Sequence, residues 1–193
     1  MRNPHHVAVL VGSLRKDGYS QRLANTLINV APEGMKCRIV GIGDMPFYND
    51  DLGETPPSAW EVFRHAIRSA SALLVVTPEY NRSYPAALKN ALDVGSRPWG
   101  KNVFDGMPTA VVSHSPGALG GFGANHAVRQ TLVPLNMPTL QYPEAYISNV
   151  AALFDERGTL IDPATGKFLK GFMAAFDLWI ARNTVADAAQ MAS

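Results

Sequence analysis

Apolar stretches of strand length alternate with helical patterns along almost the whole chain. The predicted strands are His6–Val11, Cys37–Ile42, Ala72–Thr77, Thr109–Ser113 and a segment within Thr139–Ile147. The predicted helices are Ser20–Val30, Pro57–Ala70, Tyr84–Val94, Asn125–Leu135 and Gly166–Arg182. This alternation predicts an α/β fold, a parallel sheet with right-handed crossovers and helices on both faces. Five strands in so short a chain favour the order 2-1-3-4-5, with a ligand crevice beyond the carboxyl ends of strands one and three.

Size and charge limit what the chain can be. Its 193 residues, 47% hydrophobic and 17% charged, predict a single globular domain over residues 1–193, with a loose tail from about residue 184. A net charge of +1 gives no general attraction to nucleic acid or to acidic membranes, so we expect neither as a partner. We expect a cytoplasmic protein, because the only apolar stretch near the start, Val7–Val11, is too short for a signal peptide or a membrane span.

The loop after the first strand is the first candidate site. Its sequence, "GSLRKDGYSQRLA", offers the hydroxyls of Ser13 and Ser20 and the guanidinium of Arg15 just before a helix N-terminus. Such donors suit a terminal phosphate, whereas a pyrophosphate needs glycines that let the backbone approach. The alternative is a solvated turn in which Ser20 only caps the helix.

Two further loops should reach the same edge of the sheet. In "TPEYNRSYPAALKNALD", a planar heterocycle would find Pro78, Glu79, Tyr80 and Asn81; the alternative is a structural turn, with Glu79 solvated or paired with an arginine. In "SHSPGALGGFGAN", the glycines indicate close ligand approach or a mobile turn.

Adjacent His114 and Ser115 rarely act as base and nucleophile, and no G-x-S-x-G elbow is present, so hydrolysis is disfavoured. No metal site is predicted, because Cys37 is the only cysteine and the acidic residues are not grouped with other potential metal ligands.

These three segments resemble the NADPH-dependent FMN reductase family, which includes quinone and chromate reductases. The resemblance implies a flavodoxin-like fold and FMN as cofactor. It assigns the phosphate to Ser13, Arg15, Ser20 and, less typically, Gln21, and the flavin ring to Pro78, Glu79, Tyr80, Asn81, Ser115 and Gly117. It also implies a homodimer or homotetramer.

The resemblance further implies the reaction. NADPH or NADH would give two electrons, through FMN, to quinones, flavins, azo compounds or oxyanions such as chromate by a ping-pong mechanism, with no catalytic side chain. Two alternatives stay open: a flavin reductase that supplies reduced FMN to a monooxygenase, and a flavodoxin-like electron carrier without turnover.

Arg97, in "GSRPWGKNVFDG", is a candidate for binding anionic substrates. Its segment is long enough to fold back over the crevice or to reach a partner's site. The alternative is that Arg97 caps the C-terminus of the preceding helix.

Overall fold

The structure, a computed structural model, describes residues 4–190. The five strands are β1 His5–Val11, β2 Met35–Ile39, β3 Ala72–Pro78, β4 Thr109–His114 and β5 Ala145–Ile147. The five α-helices are α1 Tyr19–Asn29, α2 Ser58–Arg68, α3 Ala86–Gly95, α4 Phe122–Leu132 and α5 Pro163–Gln190. All ten predicted elements are therefore present. In addition, short 3-10 helices lie between β2 and α2 at Asp50–Leu52 and between β5 and α5 at Val150–Leu153.

The strands form one parallel sheet in the order β2-β1-β3-β4-β5, as predicted. In its centre, Val9 pairs with Ile39 on one side and with Leu74 on the other. Because all strands run the same way, the loops that follow β1, β3 and β4 leave the sheet at one edge, the carboxyl edge. The ligand crevice predicted from the sequence lies at this edge.

Helices cover both faces of the sheet, which explains why the central strands are apolar without alternation. On one face, side chains such as Val9 pack with α1 and α5, including Leu23 and the fully buried Phe176. On the other face, Leu10 packs with α2, α3 and part of α4, including the fully buried Trp60. The helical coverage leaves only the strand ends and their loops open to a ligand.

Several boundaries differ from those predicted. Helix α3 begins at Ala86, with Pro85 as its N-cap, because proline's fixed φ suits the entry to a helix and its missing N–H costs no bond there. Helix α4 begins at Phe122 rather than Asn125, directly after Gly121 in a left-handed conformation. Strand β5 is only three residues long.

The C-terminal helix α5 continues to Gln190 and so covers most of the segment expected to be a loose tail. Residues 191–193 lie outside the described residues, and the tail stays a prediction. Among the helices that the structure describes, none combines the length and the hydropathy needed to cross a membrane.

Candidate active site

The loops after β1 and β3 meet at the carboxyl edge of the sheet. The amide of Gly12 donates to the carbonyl of Val76 at 2.8 Å, which extends the pairing of β1 and β3 past the last residue of β1. Directly beyond, the hydroxyls of Ser13 and Tyr80 lie 3.4 Å apart. The packing there is tight, because a Cβ on Gly12 would stand 2.9 Å from Oγ1 of Thr77. The structure thus brings together a residue from each of the first two predicted site loops.

The first loop turns sharply and opens into helix α1. The amide of Gly18 donates to the carbonyls of Arg15 and Lys16, and Gly18 itself is the N-cap of α1. Ser20 therefore lies inside the helix, and the alternative in which it caps the helix is wrong. In the described part of the chain, the amides of Tyr19 and Ser20 have no hydrogen-bond acceptor. These two N–H groups and the positive end of the helix dipole are available to an anion.

The side chains of this loop differ in their availability. Arg15 is exposed, and its backbone amide donates to Oγ of Ser13 at 3.3 Å. Gln21 lies along the helix, where its side-chain nitrogen donates to Oδ1 of Asn25 at 3.2 Å. The side chain of Arg15 is thus accessible to an anion, whereas the side-chain amide of Gln21 already donates to Asn25.

Ser20 is buried, with 2% of its surface exposed, and its hydroxyl lies 2.7 Å from Nε2 of His114, the last residue of β4. Burial lowers the pKa of His114 to about 4, because the charged imidazolium loses its solvation there, so the ring is neutral at pH 7. The other ring nitrogen, Nδ1, is buried and has no partner among the described residues.

The second loop is a tight turn at the end of β3. Tyr80 and Ser83 exchange both backbone hydrogen bonds, and the two residues between them, Asn81 and Arg82, have φ angles of 51° and 67°. Two successive positive φ angles define a type I′ turn, which non-glycine residues adopt at some cost. The turn holds Tyr80, which is 52% exposed, beside the first loop.

Glu79 has a structural partner, and it is not a free acid or base. Its carboxylate accepts the amide of Ala124 in the first turn of α4 at 3.1 Å and lies 3.3 Å from the guanidinium of Arg82. Only 12% of the side chain is exposed. A carboxylate at a helix N-terminus satisfies a free N–H and complements the dipole. Its side chain is therefore occupied, and the backbone is the part of Glu79 left for a ligand.

The third loop is held by the segment that leaves β5. The amide of Ser115 donates to the carbonyl of Ile147, and the carbonyl of Gly117 accepts the amide of Asn149. The hydroxyl of Ser115 donates to the carbonyl of Gly117 at 3.0 Å. His114 bonds to Ser20 rather than to Ser115, so the pair lacks the geometry of a nucleophile and its base.

Arg97 does not join these loops within one chain. It follows the C-terminus of α3, whereas the site lies at the N-terminal end of that helix, about 15 Å away for a ten-residue helix. Its backbone amide lies 3.4 Å from the carbonyl of Val94, and its guanidinium lies 6.0 Å from the centre of the exposed Trp99 ring. The C-cap of α3 is Ser96, and within the described chain the guanidinium of Arg97 forms no hydrogen bond to the helix, so the capping alternative stays a prediction.

Sequence reasoning missed two side chains of this edge, His114 as a partner of Ser20 and Glu79 as the cap of α4. Neither leaves a local signal, since the two bonds span 94 and 45 residues. Among the described residues, no group of three or more histidine, cysteine, aspartate or glutamate side chains could hold a metal ion.

Comparison with known proteins identifies the family. Residues 5–152 match the model of the NADPH-dependent FMN reductase family. A quinone reductase of Pseudomonas putida is 55% identical over 95% of this chain and 98% of the relative. A 2-hydroxy-1,4-benzoquinone reductase of a Burkholderia species is 39% identical over 90% of this chain and 95% of the relative.

Among solved structures, FerB of Paracoccus denitrificans, a flavoenzyme NAD(P)H:(acceptor) oxidoreductase, superposes with a TM-score of 0.87. The two sequences are 40% identical, and the match covers 93% of this chain and 98% of the FerB chain. The sheet order agrees with these matches. The chain is an oxidoreductase that uses FMN and NAD(P)H, and it belongs to the NADPH-dependent FMN reductase family.

Proposed function

We propose that this protein is an NAD(P)H:quinone oxidoreductase that holds FMN at the carboxyl edge of its sheet. The observation that carries the proposal is the meeting of the first two loops, where Ser13 and Tyr80 lie 3.4 Å apart beside the free N-terminus of α1. This arrangement puts donors for a phosphate next to an exposed aromatic side chain.

The donor set at α1 fits the phosphate of FMN. Phosphate oxygens only accept hydrogen bonds, and this corner offers the unpartnered amides of Tyr19 and Ser20 together with the exposed Arg15. Ser13 would complete the set, and Gln21 would join it only by giving up Asn25. Donors without acceptors within the described chain support an anion at this point.

The second and third loops would hold the flavin ring. Pro78 and Glu79 would offer backbone groups, and Tyr80 and Asn81 would offer a flat face and an amide at the tip of the turn. Ser115 and Gly117 would line the opposite side. Since Glu79 is occupied by α4, we assign it no proton transfer and assign no other side chain a catalytic role.

FMN, once bound, would supply the two-electron chemistry between a nicotinamide and an acceptor. The protein's part is to bind, orient and shield. We propose that donor and acceptor occupy one site in turn, which gives a ping-pong rate law. Quinones are the first choice of acceptor, supported by the names of the P. putida and Burkholderia relatives. Free flavins, azo compounds and oxyanions such as chromate are proposed as further acceptors.

Steady-state kinetics with NADPH, NADH and a panel of quinones test the proposal. Parallel double-reciprocal lines and tightly held FMN are expected. Intersecting lines together with ready loss of reduced FMN would instead indicate the flavin reductase that serves a monooxygenase. Failure to oxidise NAD(P)H with any acceptor would leave the electron-carrier alternative.

A further inference from the structure

Ser20 and His114 together carry two donor hydrogens, but the single hydrogen bond between them uses only one. A neutral imidazole carries one N–H and serine carries one O–H, while the 2.7 Å contact uses only one of them. No further hydrogen bond of the Ser20 hydroxyl, and none of His114 Nδ1, is formed within the described chain. The position of the second hydrogen therefore depends on which ring nitrogen of His114 is protonated.

The two tautomers place that hydrogen very differently. If Nδ1 is protonated, Ser20 donates to Nε2, and the Nδ1–H lies buried without an acceptor. If Nε2 is protonated, it donates to Ser20, and the Ser20 O–H is left free in the first turn of α1. A buried N–H without a partner is costlier and rarer than a bare acceptor. The second tautomer puts the free hydrogen where the proposed function puts a phosphate.

We propose that His114 is a positioning residue for the phosphate of FMN: its Nε2–H donates to Ser20 and thereby turns the Ser20 hydroxyl toward a phosphate oxygen. The inference rests on the proposed function, because it requires the phosphate to bind at the N-terminus of α1. His114 is 4% exposed and stays neutral at pH 7, so its ring carries a single hydrogen. A donor chain that is shielded from water in this way gives a stronger hydrogen bond than one in solvent.

Nitrogen NMR of the holoenzyme, labelled with ¹⁵N-histidine, reads the tautomer directly, because protonated and bare ring nitrogens have different shifts. The chain has 5 histidines, and the signals missing from a His114→Gln variant assign the residue. The proposal expects a protonated Nε2 and a bare Nδ1 with FMN bound. A protonated Nδ1 would overturn it, and this reading needs no variant to fold.

Flavin affinities test the role independently. In His114→Leu, a substitution of similar volume without a donor, FMN should bind roughly tenfold more weakly while riboflavin, which lacks the phosphate, is unaffected. His114→Gln, which can still donate, should retain most of the FMN affinity. Ser20→Ala should match His114→Leu, and the double variant should lose no more than either single variant.

The outcomes separate the two claims. Equal weakening of FMN and riboflavin in His114→Leu would mean that the residue is only structural, and an unchanged FMN affinity would mean that it has no role; either overturns the proposal. If the wild-type protein itself binds FMN and riboflavin equally well, then the phosphate site is wrong and the proposed function loses its main support.

Discussion

Arg15 is an exposed cation of the loop after β1, the loop proposed to bind the phosphate, and the effect of removing it should be specific to this position. Because a hydrogen bond to a charged group contributes about 1.5–3 kcal/mol, Arg15→Ala should weaken FMN binding by roughly tenfold to over a hundredfold. Fluorescence titration of the flavin-free protein measures this. Lys16→Ala is the matched control, since it removes an exposed neighbouring charge. Equal losses in both variants would indicate general attraction by charge instead of a ligand contact.

His114 should make stability depend on pH. Its pKa falls to about 4 in the folded protein from an ordinary value of 6.5, so the unfolded chain binds the proton more readily between these values. The free energy of unfolding should therefore be unaffected above pH 6.5 and should fall by about 3 kcal/mol as the pH drops from 6.5 to 4.

Urea unfolding of flavin-free protein at pH 7 and at pH 4.5 measures this contribution. FMN is left out because the second pKa of its phosphate, about 6, lies in the same pH interval. His114→Gln should lose less stability over the same interval. If both proteins lose the same amount, other groups account for the acid sensitivity.

At the scale of residues, part of the candidate site could be predicted from local sequence patterns. Ser13 and Arg15 could be identified because a strand, a polar loop and a helix follow one another directly in the sequence. The partner of Ser20 could not, since His114 is 94 residues away and reaches it only through the order of the strands. The same holds for the carboxylate of Glu79, which the sequence left open and which packing assigns to α4.

At the scale of elements, the loop between β4 and α4 depends on two successive glycines with positive φ, Gly120 and Gly121, and the space is tightest at Gly120. Gly120 has a φ of 59°, and an added Cβ would stand 2.6 Å from the carbonyl carbon of Tyr146. Gly120→Ala should combine backbone strain with a clash against β5 and lower the free energy of unfolding by about 2–4 kcal/mol. Thermal and urea unfolding check the prediction.

Two other glycines separate the causes. Gly100→Ala tests positive φ alone, because its φ is 76° and nothing lies within 4 Å of the added Cβ. Gly117→Ala, in the same loop as Gly120, has neither the angle nor a contact closer than 4.0 Å. We expect the loss of stability to decrease in the order Gly120, Gly100, Gly117. A loss in Gly117→Ala as large as that in Gly120→Ala would contradict the account.

The elements themselves were largely predictable, and their ends were not. Central strands such as β3 are buried on both faces and therefore read as continuous apolar runs. The start of α4 was misplaced because it is fixed by Gly121 in the left-handed conformation and by Glu79, neither of which belongs to the helix pattern. The three residues of β5 are too few to show a pattern of their own.

At the scale of the whole molecule, the surface carries apolar side chains far from the candidate site. Trp99 is 89% exposed, Tyr142 85% and Val133 76%. Trp99 borders a cavity of about 570 Å³ that Arg97 also lines. Such a surface is compatible with the homodimer or homotetramer expected from the resemblance, which stays a prediction. Light scattering at assay concentration tests it, and a fully active monomer would contradict it.

The prediction for Arg97 links the proposed oligomer to the proposed reaction. Since it lies at the opposite end of α3 from its own site, Arg97 can act on a substrate only in a partner's site. If it does, Arg97→Ala should raise the KM for NADPH or for anionic acceptors several-fold, leave neutral quinones less affected and keep both FMN and Tm. A fixed guanidinium attracts phosphate-bearing substrates but gives a neutral quinone little. Lys101→Ala, which removes another cation of the same segment, is the control. Unchanged KM values together with a lower Tm would instead establish a structural role for Arg97, as a cation next to the C-terminus of α3.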